Sequence, residues 1–173
     1  GVIMNGRAVY VDSGTANIGG TIQNIKGTNA AWMGQDGVAV HLRSHGEATL
    51  TSTGVITNVT GANAGNNCAI WTQFCNFTTI AGSEISKVDG FQLLHFDDLT
   101  LEGSYTHEVY FDGTISDCDA GSACLLRSWY GQITFGPNSV IEGCSSSSAG
   151  GLIYSNNGSH YTFAGTIQNN RAS

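Results

Sequence analysis

The sequence predicts an all-β chain: a right-handed parallel β-helix of about six three-strand coils, built by residues 1–173 as a single domain. Three observations predict it. One signature recurs six times, as GTIQNI (20–25), GVITNV (54–59), SEISKV (83–88), GTISDC (113–118), SVIEGC (139–144) and GTIQNN (165–170). A second precedes it each time, as RAVYV (7–11), VAVHL (38–42), CAIWT (68–72), QLLHF (92–96), CLLRS (124–128) and GLIYS (151–155). Between the two lies another short segment, such as EATL (47–50), FTTI (77–80), VYF (109–111), QITF (132–135) and YTF (161–163). Helical periodicity is absent. The segments are β-branched or aromatic and bounded by Gly, Asn, Ser or Asp, as strands are.

Each coil is too thin to bury its own apolar residues, so equivalent strands must stack in parallel and bury them collectively. Alternation assigns the faces. In the first strand of each coil Val9, Val40, Ile70, Leu94, Leu126 and Ile153 point inward. In the second, Ile18, Leu50, Ile80, Phe111, Phe135 and Phe163 do so, with Asn17, Thr49, Thr79, Tyr110, Thr134 and Thr162 outward. In the third, Ile22, Ile56, Ile85, Ile115, Ile141 and Ile167 fill the core. Asn24, Asn58, Asp117 and Asn169 follow two residues later, where a corner needs a residue that tolerates the left-handed region.

Composition narrows function more than it names it. Six Lys plus Arg stand against 13 Asp plus Glu, a net charge of −7, too few cations to neutralise a nucleic-acid backbone or dock on an anionic membrane. No apolar run is long enough to span a bilayer, so no membrane insertion is expected. Five cysteines are many for a cytosolic protein of this length, and none has CxxC metal spacing. Cys118 and Cys144 each lie three residues after a core isoleucine, so they stack on adjacent coils within disulfide reach; Cys68 and Cys75 are a second pairing, closing a corner. Asn58, Asn76 and Asn157 head sequons. These features together point to an extracellular or cell-surface location.

No catalytic residue, metal ligand set or cofactor motif is identified. The nearest approach is an acidic stretch in which seven of the 13 acids fall within residues 97–119: Asp97, Asp98, Glu102, Glu108, Asp112, Asp117 and Asp119, with His95 and His107 nearby. Paired carboxylates in a groove are what a carbohydrate-active β-helix enzyme needs, which makes this stretch the enzymatic alternative. The outward column Tyr10, His41, Trp71, His95, Arg127 and Tyr154 is suited to stacking on a sugar or a partner surface, unless a neighbouring segment covers it. The threonines of the second strand give a lesser alternative, an ice- or surface-binding face.

Two stretches resemble a known family. Gly150-Gly151-Leu152-Ile153 is similar to the GGA(I/L/V) motif of chlamydial polymorphic outer-membrane proteins, with Leu in place of Ala, and Phe135-Gly136-Pro137-Asn138 to their FxxN motif. The resemblance implies a surface-displayed, adhesive or structural β-helix. Neither end of the repeat array carries the proline, lysine or helix that usually blocks a terminal rung. Val2, Ile3 and Val9 at one end and Ile153, Phe163 and Ile167 at the other are therefore expected to make end-to-end contacts, in a homo-oligomer or filament or with further coils. A chain that begins at Gly1 without Met fits both a mature subunit and an excised piece.

Overall fold

In the computed structural model, residues 2–3, 7–27, 37–61, 68–98, 107–148 and 151–173 are described. They form a parallel β-solenoid. The first sheet holds six strands, Val9–Asp12, Gly37–Arg43, Cys68–Gln73, Gln92–Asp97, Leu126–Trp129 and Ile153–Asn156, each paired in parallel with its successor. The second holds six more, Thr15–Ile18, Glu47–Leu50, Asn76–Thr79, Glu108–Phe111, Gln132–Phe135 and His160–Phe163. The third has seven: Val2–Ile3 pairs with Lys26–Gly27 ahead of the six strands that carry the isoleucine signature.

Register follows the repeats. Val9, Val40, Ile70, Leu94, Leu126 and Ile153 form one unbroken column, and Ile22, Ile56, Ile85, Ile115, Ile141 and Ile167 another. Corners obey the expected conformational rule. Asn24, Asn58, Lys87, Asp117, Gly143 and Asn169 all have φ between 51° and 63°, and Ser13, Phe74, Tyr130 and Asn157 mark the corner between the first and second sheets in the same way. The signature's opening position alternates Gly54, Ser83, Gly113, Ser139 and Gly165 for a packing reason. A Cβ on Gly113 would run into Ser83, and one on Gly165 into Ser139. The serines fold back instead, donating to the carbonyls of Ile80 and Gly136, both at 2.7 Å.

The core is a stack of apolar layers. Phe77, Phe111, Phe135 and Phe163 run along it with ring centroids 6.2, 5.5 and 4.5 Å apart, turning from an edge contact to a parallel stack.

Three expectations change. In the third coil the second strand sits one residue earlier than its sequence suggests. Thr79, not Ile80, pairs with Leu50 and Phe111, so Thr78 takes the outward column and Ile80 is exposed. The buried Thr79 hydroxyl accepts the N–H groups of Asp112 (3.0 Å) and Gly113 (3.2 Å), anchoring the next coil's corner. Second, Ser86, which alternation turns outward beside the core Ile85, is buried, bonded to Thr57 at 2.9 Å and donating to Glu84 at 2.6 Å. Third, the stripe Tyr10, His41, Trp71, His95, Arg127, Tyr154 is in register as expected but open only at its ends. His41, Trp71 and His95 are buried, as are Ala39, Ala69, Leu93 and Leu125 beside them.

Candidate functional site

A groove of about 460 Å³ lies over the outer face of the second sheet. Strand alternation puts Ala48, Phe77, Val109 and Ile133 inward and so turns Glu47, Asn76, Glu108 and Gln132 outward, one per coil. These four are bonded into a row. Asn76 donates to Glu47 Oε1 (3.4 Å) and accepts from the Glu108 backbone N–H (2.8 Å); Gln132 donates to Glu108 Oε1 (3.1 Å). Thr49, Thr78 and Tyr110 form a second row beside it. Tyr110 interrupts the threonines, so this face is a furrow and not the flat hydroxyl array an ice-binding surface would want.

At the groove's edge lies a three-residue chain. Asp98 Oδ1 is 3.3 Å from His107 Nδ1, and His107 Nε2 is 3.0 Å from His45 Nδ1. In the neutral tautomer that donates from Nδ1 to the carboxylate, His107 Nε2 accepts from His45 Nδ1. Asp98 is fully buried, His107 nearly so, and His45 exposed. Ser44 and His45 hold φ of 56° and 66°, and Phe74 at φ 54° lays its ring edge on His107. Sequence reasoning singled out Asp98, His107 and Glu108 but missed His45 and Glu47, two coils away. Aligning corners as well as strands would have found them, since His45 lies two residues before Glu47 and His107 one residue before Glu108, at equivalent corners.

The other acids of 97–119 do not converge. Asp97 sits on the outer face of the first sheet, Asp112 accepts from Asn138 at the far end of the second (2.9 and 3.0 Å), and Asp117 and Asp119 are exposed at third-sheet corners. Glu102 lies outside the described residues. Among the described residues, these acids therefore lie on different faces of the solenoid, with Asp97 and Asp98 the pair that feel each other's charge.

On the first sheet, burial has electrostatic consequences. His41 accepts from Arg7 Nε at 2.8 Å, and burial, followed by the Arg7 and Arg43 charges, lowers its pKa to about 3. Burial and then Arg127 lower His95 to about 4. Asp97 is pushed up to about 6 by burial and by Asp98. Neither ring nitrogen of His95 has a hydrogen-bond partner, nor do Asp97 Oδ1 and the indole nitrogens of Trp71 and Trp129. His41 and His95 are two strands apart, about 10 Å, too far to share a metal ion. Among the described residues, no group of three or more His, Cys, Asp or Glu is placed to hold one.

The cysteines are free thiols and all buried. Cys118 and Cys144 stack on adjacent rungs as expected, bracketed by the Ile115–Ile141 pair and the Asp119–Ser145 bridge, but they are not bonded covalently. In-register parallel rungs hold side chains about 4.8 Å apart. A disulfide needs Cβ atoms nearer about 3.8 Å. The shared hydrogen bond with Cys144, then burial, raises the Cys118 pKa. No disulfide joins Cys68 to Cys75 either: Cys68 lies in the first sheet's interior column, while Cys75 turns its thiol to the Gln73 carbonyl at 2.9 Å. Burial raises Cys75 and also Cys124, whose sulfur accepts from Gln92 at 3.9 Å. None of the five should react with a maleimide in the native protein and all five should after denaturation; native labelling at Cys118 or Cys144 would contradict this packing. Of the sequon asparagines, Asn58 and Asn157 are exposed at corners, whereas Asn76 is committed to the groove row.

Compared with protein-family models, curated proteins and solved structures, the chain finds no match.

Proposed function

We propose that this chain is an extracellular structural or adhesive β-helix module whose terminal rungs pair with further rungs, either those of a second copy end to end or those of additional coils. One observation carries the reading. Phe163 and Ile167 are 47 % and 48 % exposed, while Phe111, Phe135, Ile115 and Ile141 in the same columns are at 2 % or less. An open apolar rung with unpaired backbone groups is a template for another rung. At the opposite end Val9, Ile18 and Ile22 head the columns that Ile153, Phe163 and Ile167 close, with Val2–Ile3 already paired beyond the third of them. Such a contact is heterologous and does not close on itself, so it yields filaments; further coils of one polypeptide would satisfy the same surface. The likeness of Gly150–Ile153 and Phe135–Asn138 to chlamydial polymorphic outer-membrane repeats supports surface display.

The test is solution mass across a hundredfold dilution, for the parent chain and for Phe163→Lys. The parent is expected to grow in mass with concentration, and the variant, with a charge on the open rung, to remain monomeric. A parent chain monomeric at every concentration would overturn the assembly.

A further inference from the structure

The geometry points to a second site: the groove on the second sheet binds a neutral glycan chain, seated along Glu47, Asn76, Glu108 and Gln132. It lies on a lateral face, away from the open rung, so neither reading depends on the other.

The groove's volume of about 460 Å³ falls within the range of small-molecule sites. Its polar row crosses four consecutive rungs, about 14 Å at the strand spacing of a sheet, long and narrow like an oligosaccharide. What the row offers is as informative as its length. Each carboxylate commits Oε1 to a neighbouring amide, and Asn76 is used on both sides. That leaves Oε2 of Glu47, Oε2 of Glu108 and Oε1 of Gln132 as acceptors held in place by the bonds behind them. Thr49, Thr78 and Tyr110 add hydroxyls that both donate and accept. Tyr110 also supplies aromatic surface; its hydroxyl lies against the backbone of Gly136, where a side chain would displace it.

This inventory selects the ligand. No Lys or Arg lines the groove, and two carboxylates do, so polyanions and acidic sugars are repelled. Apolar lining amounts to Ala48 and part of Tyr110, too little for a lipid or an apolar peptide. Polyamines want dense negative charge, but the two carboxylates are two rungs apart, about 10 Å at the strand spacing, and each is already bonded by an amide. Hydroxyl groups on a neutral sugar donate to fixed acceptors and accept from threonines. A hydrogen bond to a charged group is the strongest single contact such a ligand can make.

The test titrates the full chain with four neutral hexasaccharides (cellohexaose, laminarihexaose, maltohexaose and N-acetylchitohexaose), with polygalacturonate and spermine as charged probes. Side-chain amide resonances of Asn76 and Gln132 are followed alongside calorimetry. Saturable binding of at least one neutral hexasaccharide is expected, with those two amides shifting. Glu108→Gln and Tyr110→Ala should each weaken it by about tenfold or more. Glu47→Gln, at an exposed position that leaves packing untouched, should weaken it as well. Failure of all four sugars to bind, binding that ignores these substitutions, or binding of spermine or polygalacturonate alone would overturn the proposal.

Discussion

Phe111→Ala should remove about 3–5 kcal/mol of stability, the cost of deleting a large aromatic from a site that cannot collapse. Phe111 lies in the fourth rung, 1 % exposed, between the Phe77 edge and the Phe135 face. The rungs above and below are pinned by backbone bonds at fixed spacing, so they cannot close on the void. The same truncation at Phe163 should cost less than about 2 kcal/mol, because half of that ring is already in water and its loss opens no enclosed cavity. Urea unfolding of the two variants measures the difference. A rung array couples only nearest neighbours, so a defect at Phe111 should also lower the m-value by loosening the two halves from each other. Equal costs at Phe111 and Phe163 would show that the terminal rung is covered in solution.

The pattern that defined the fold was carried by residues that recur at the same rung position, and it survives in the structure column by column. Its failures have physical causes. The third coil's slip at Thr79 came from a hydrogen-bonding demand of the next rung, which no single strand reveals. The burial of His41, Trp71 and His95 is the covered alternative for that stripe, which alternation alone does not separate from an exposed one. VAVHL, CAIWT and QLLHF are apolar on both parities, which is what strands buried on both faces look like. The site was half legible. Asp98, His107 and Glu108 stood out as chemistry-bearing residues close in sequence. Their partners His45 and Glu47 are 62 and 61 positions from His107 and Glu108, brought near only by stacking.

Acidification should destabilise the protein from about pH 6.5 downward, well before ordinary carboxylates protonate. His41 and His95 have folded-state pKa values lowered to about 3 and about 4, against 6.5 when unfolded. Below 6.5 the unfolded chain therefore takes up two protons that the folded chain refuses, and stability falls as pH falls. Asp97 works the other way. Its folded value of about 6 exceeds the unfolded 3.8, so its contribution is present at low pH and lost as pH rises through 6. Near pH 4 the two histidines together cost about 6 kcal/mol and Asp97 returns about 2, a net loss of about 4 kcal/mol. All three side chains are at 3 % exposure or less, so solvent screening does little to reduce the effect. The check is urea unfolding at about pH 7, 5.5 and 4.5. His95→Gln should flatten the acid limb, because a neutral amide has no proton to take up on unfolding. Asp97→Asn should steepen it by removing a group that opposes the histidines. Stability unchanged between about pH 7 and 4.5, or an identical slope in all three proteins, would mean that water reaches this face of the first sheet and that the stripe is open after all.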